Sequence, residues 1–186
     1  FYYYFLTWLW TFQPSRLHTL VEYYGGPREF YEAVDEDTDM ITKAERNQIK
    51  KVKETEELYR FWERGCKEPV KFISSIDHDY PKAFLQLPDY PYGIYMEGNE
   101  LPIHKPVVAM VGARRCTEYG RELAYKLARN LAFHQISVVS GLAEGIDGAS
   151  HRGCLDGGGY TLGILGGGIH TIYPKENYSL YREMKV

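Results

Sequence analysis

The chain has 186 residues, 44% of them hydrophobic, with a formal net charge of −3; that is enough apolar material for a buried core and excludes wholesale disorder. Three cysteines, Cys66, Cys116 and Cys154, form no metal-spaced pair, and their odd number and scatter suit a reducing cytoplasm better than a disulfide framework. The charge averages two unlike parts, since residues 1–103 hold 12 Lys and Arg against 18 Asp and Glu while residues 104–186 hold 10 against 7, which leaves room for a local basic site in the second part.

The opening FYYYFLTWLW is apolar, lacks a basic flank and is too short to span a bilayer, so it predicts a buried first helix and no membrane role. It starts without Met, as a fragment would. Ser15 is placed to cap a helix through Leu17, Leu20, Val21 and Tyr24, stopped by Gly25-Gly26-Pro27. Pro27 then opens a short helix to Val34, and Asp35 to Asp39 form an acidic turn. Ile41, Ala44, Gln48, Val52, Thr55, Tyr59 and Trp62 recur at steps of three and four, predicting one face of a single long helix. Lys50-Lys51-Val52-Lys53 reads first as the solvated face of that helix and second as a nucleic-acid contact. The stretch Gly65–Lys67 before Pro69 marks a boundary between an all-helical domain, 1–65, and a second domain, 66–186.

The second domain opens with strands expected at Val70–Ile76 and Ile94–Glu97, around an irregular stretch holding Pro81, Pro88 and Pro91. Three apolar runs follow, Val107–Val111, Ile136–Ser140 and Tyr160–Leu165, each closed by glycine and separated by helix-length stretches. That alternation predicts an α/β fold of Rossmann-like type, with a parallel sheet covered on both faces and its glycine turns gathered at the carboxyl ends of the strands. The pattern stops at Val186 after three strands, so the sheet is expected to be incomplete.

Arg114 and Arg115 lie between Gly112, whose turn is taken as part of the same phosphate site, and a helix that Thr117 is placed to cap. A helix start offers unpaired N–H groups to a phosphate, and a guanidinium fork matches phosphate oxygens. The alternative is that an arginine pairs with Glu118. Ser140 and Gly141, closing the second strand, could donate to the same anion, and Gly167 allows close backbone approach. After it come His170, Tyr173, Pro174 and Lys175: a base can stack on Tyr173 while Lys175 holds its phosphate, although Tyr173 suits the core equally. Asp147 and His151 share a helix face and read as a structural pair before a metal or acid–base one, and Arg152 would add positive charge. Gly112 and Gly120 do not make a dinucleotide fingerprint, and neither the P-loop nor the serine elbow pattern is present. No cofactor, metal or enzymatic activity is expected.

VGARRCTEYGRE, SGLAEGIDGASHRG and LGGGIHTIYPKEN, with a weaker match in DYPKAFLQLPDYPYGIYMEGN, resemble the signature blocks of the bacterial DNA-processing protein A (DprA/Smf) family. The resemblance implies a protein that binds single-stranded DNA, protects incoming strands in natural transformation, loads the RecA recombinase and forms a homodimer through the later part of its sheet. It places Arg114 at the family's glycine-x-arginine position and Lys175 at a basic family position. Residues 15–34 have the placement of the family's small sterile-alpha-motif or helix-hairpin-helix domain. Here, though, Phe12-Gln13-Pro14-Ser15 stands where a DNA-binding hairpin uses glycines, and proline removes an N–H donor, so no DNA binding is assigned to it. The rival is a nucleotide hydrolase of the lysine-decarboxylase-like (LOG) Rossmann group, whose P-G-G-x-G-T-x-x-E block this chain lacks.

Overall fold

The computed structural model describes residues 1–9, 12–33, 40–65, 69–99, 105–169 and 171–185. The acidic turn at 35–39, Cys66, the boundary at 66–67 and His170 lie outside the described residues. The chain divides into two compact units, Phe1–Met96 and Glu97–Val186. Among the described residues no helix is long and apolar enough to cross a membrane.

The first unit begins with α1 (Tyr2–Thr7), which buries Tyr4, Phe5 and Leu6 as its apolar sequence demands. In α2 (Pro14–Tyr23) the cap is Gln13 rather than Ser15, because Pro14 takes the first turn, where its fixed φ fits and its missing N–H is not needed. After α3 (Pro27–Ala33), the expected long helix is two: α4 (Lys43–Glu54) and α5 (Glu56–Gly65). Thr55 between them is extended, at φ −79° and ψ 112°, with its hydroxyl donating to the Lys51 carbonyl. This break resets the phase of the buried face. Ile49, Val52 and Leu58 face the core, whereas Ala44 and Tyr59 of the expected stripe are exposed. Thr42 and Glu45 form a reciprocal capping box at the start of α4.

Paired strands β1 (Val70–Ser74) and β2 (Gly93–Glu97) complete the unit. The units divide at Met96, past the boundary expected at 65/66, and the aromatic packing gives the reason. Phe72 sits edge-on to Tyr4 and Trp62, and Tyr92 stacks with His18, so the strand pair shares the helical core.

The second unit alternates β3 (Val107–Ala109), α6 (Glu118–Phe133), β4 (Ser137–Ser140), α7 (Ile146–Asp156), β5 (Thr161–Gly163) and α8 (Tyr178–Met184). The three strands are parallel in the order β3-β4-β5, with Val107 opposite Ser137 and Val138 opposite Thr161. Ala124, Ala128 and Ala132 of α6 are buried; small side chains let the helix approach α7 and the sheet closely. Burial is not the two-sided cover expected of the first strand. α6 and α7 pack on β4, and α7 also on β5, while β3 at the sheet edge leaves Val107, Val108 and Val111 exposed.

Candidate functional site

Parallel strands bring their carboxyl-end loops to one edge, and here the three loops are fastened to each other. The Ser140 hydroxyl donates to the Met110 carbonyl at the end of β3, and the Ile164 N–H donates to the Ser140 carbonyl at 2.8 Å. The Ile146 N–H donates to the Ala113 carbonyl at 3.3 Å. Gly145, at φ +85°, lies so close to the neighbouring loop that a Cβ on it would fall 2.3 Å from the Ala113 oxygen and 2.4 Å from that of Arg114. No L side chain takes both that backbone angle and that contact without displacing the arginine loop. Gly112 is the reciprocal fit, since Ile146 fills the space where its Cβ would stand.

On this edge Arg114 and Arg115 are exposed and form no ion pair among the described residues. Glu118, the expected competitor, pairs instead with Arg121 at 3.6 Å. The Thr117 hydroxyl caps the 16-residue α6 by accepting from the Gly120 N–H at 3.1 Å, leaving other first-turn donors beside the arginines. Tyr173 is 74% exposed, so of its two readings the core one falls away. Lys175 is exposed too, and the Cβ positions of Gly166 and Gly167 face open space.

Four expected contributions are otherwise engaged. Ser140 is buried with its hydroxyl turned to Met110, and the Gly141 N–H donates to Asp147 Oδ2 at 3.2 Å. Gly112 serves packing against Ile146. Arg152 adds no free charge, because Glu183 holds its guanidinium at 2.6 and 3.0 Å. The Met110 carbonyl and Glu183 are distant in sequence, so spacing does not show them; Arg152 also has a local partner in Asp156 at 3.9 Å.

Asp147 and His151 do not assemble a metal site; among the described residues no three His, Cys, Asp or Glu side chains cluster to hold an ion. His151 is fully buried, its Nδ1 at 2.7 Å from the Thr161 hydroxyl, which itself donates to the Val138 carbonyl. With the hydroxyl proton used there, His151 Nδ1 must be the donor. Burial pulls its pKa down to about 4, against the opposing pull of Asp147 and the Ser140 carbonyl. A groove of about 550 Å³ between the first turns of α6 and α7 and the turn before α8 is lined by Glu118, Arg121, Glu144, Arg152, Glu176 and Asn177. Arg114, Arg115 and Lys175 stand outside it, and both its arginines face carboxylates. It does not suit an anion.

The fold defines the class as a parallel α/β domain, and Arg114, Arg115, Tyr173 and Lys175 stand exposed after its strands. Residues 71–186 match the family model of DNA recombination-mediator protein A, and the chain belongs to that family. It is similar to Protein Smf of Synechocystis sp., 32% identical over 130 residues that cover 68% of this chain and 33% of that protein. It is 37% identical to DNA processing protein DprA of Streptococcus pneumoniae over 116 residues, 61% of this chain and 41% of that one. The X-ray structure of the S. pneumoniae DprA superposes at a TM-score of 0.76 and 25% identity over 100% of this chain and 64% of that chain. DNA processing protein A from Helicobacter pylori, whose structure concerns a single-stranded DNA binding mode, superposes at 0.55 and 30% identity, covering 64% and 53%. The chain thus spans a third to two fifths of the length of the two curated relatives named here.

Proposed function

We propose that the protein is a non-enzymatic, sequence-tolerant binder of single-stranded DNA in recombination, which protects incoming strands in the cytoplasm and hands them to the RecA recombinase as a homodimer. The observation that carries the reading is the strand-end edge, where Arg114, Arg115 and Lys175 stand exposed and Arg114 and Arg115 have no carboxylate partner among the described residues. Unpaired guanidinium and ammonium groups beside a helix start suit a phosphodiester chain, and Tyr173 offers a face on which a base of any identity can stack. The structure of the H. pylori relative supports the choice of single strands. RecA and the homodimer rest on the family resemblance.

The test is a competition between ligands. The full-length protein is titrated with labelled oligothymidylate, then challenged with duplex DNA and with AMP, and the AMP samples are assayed for released ribose 5-phosphate. Retention of the single strand against both competitors, without ribose 5-phosphate, is the expected result. Release of ribose 5-phosphate would favour the nucleotide hydrolase and overturn the proposal.

A further inference from the structure

Leu142 stands in the left-handed region at φ +56° while its side chain is 1% exposed. For a bulky residue that backbone is strained, and the surroundings must hold it there. Asn177 supplies the hold, because its side-chain amide donates to the Leu142 carbonyl at 3.0 Å and to the Ala143 carbonyl at 2.9 Å. Both amide hydrogens are used, so the orientation of the group is settled by its partners. Its seat is Gly148 of α7, where an added Cβ would come within 3.1 Å of both the amide nitrogen and oxygen.

Asn177 closes the short 3-10 turn Lys175–Asn177, its own N–H donating to the Pro174 carbonyl at 3.1 Å. The loop it grips is the one whose Gly145 and Ile146 lock against the backbone of Ala113 and Arg114. One amide therefore joins the turn bearing Lys175 to the loop bearing Arg114. We propose that Asn177 is a positioning residue for DNA binding, setting Lys175 against the same stretch of phosphates that Arg114 meets. This rests on the single-strand reading above. Asn177 does not touch the strand; it acts through Lys175.

The experiment is a double-mutant cycle on the full-length protein, with oligothymidylate binding read by fluorescence anisotropy and the midpoint of thermal unfolding as control. Asn177→Asp keeps the shape but sets a carboxylate oxygen where the two carbonyls need a donor. It should weaken binding about tenfold, the weight of one charge-assisted contact. Combined with Lys175→Ala, it should add less than about twofold to the loss from Lys175→Ala alone. Binding by Asn177→Asp equal to the parent, or losses that multiply in full, would overturn the inference. Lys175→Ala binding like the parent would sink the phosphate role of Lys175 itself, and this inference with it. Should Asn177→Asp fail to fold, Gly148→Ala takes its place in the cycle. It crowds the amide while improving helix propensity, and the same non-multiplying loss is expected, full multiplication again being the contrary result.

Discussion

Glu45 shows how much a single side chain in this chain is asked to do. Its carboxylate accepts from the Thr42 N–H at 2.8 Å and takes a two-pronged contact from Arg16, which also donates to the Met40 carbonyl. The Arg16 bonds, with the Thr42 donors, hold its pKa down at about 2. Because the folded value lies below the unfolded one, this stabilisation is complete above about pH 4.5 and is lost as pH falls towards 2. Glu45→Gln is expected to cost roughly 1–2 kcal/mol at neutral pH, measured by urea denaturation, and to flatten the acid limb of the stability profile. His151 works in the same direction for a different reason. Buried and neutral, with its pKa near 4, it must be charged on unfolding below its ordinary value of 6.5. Stability should therefore decline between about pH 6.5 and 4, and a denaturant series with His151→Asn should lose that slope.

At the scale of elements, the approach of α6 to α7 depends on Gly153, where a Cβ would fall 2.1 Å from the Tyr125 carbonyl oxygen. Gly153→Ala is expected to destabilise the second unit by roughly 2–3 kcal/mol in chemical denaturation, despite its better helix propensity, because neither helix backbone can yield cheaply. The order of these elements was legible in the sequence. Val107 onward, Ile136 onward and Tyr160 onward are apolar runs closed by glycine, and Thr117 reads as a helix cap. The break at Thr55 was not legible, since Thr55 falls on the apolar period and only its backbone departs from helix. For the candidate site, the charged and aromatic groups Arg114, Arg115, Tyr173 and Lys175 stood out by chemistry and are exposed at the edge. The donors of Ser140 and Gly141 are engaged by the Met110 carbonyl and Asp147, partners that come from the fold and that their own residue types do not announce. Asn177 and Gly145 were missed: an amide and a glycine carry no chemical signature until the backbone they serve is placed.

At the scale of the whole chain, the charge of −3 argues against a general affinity for polyanions, so the proposed binding rests on the few cations gathered at the sheet edge. The measurement that tests this most directly is the salt dependence of oligothymidylate binding by the full-length protein, with Arg114→Ala and Lys175→Ala beside the parent. Each substitution should weaken binding about tenfold and lower the slope of log K against log salt by about 0.7, the share of one phosphate on a single strand. Unchanged affinity and slope in both variants would place the DNA contact elsewhere on the protein and contradict the account.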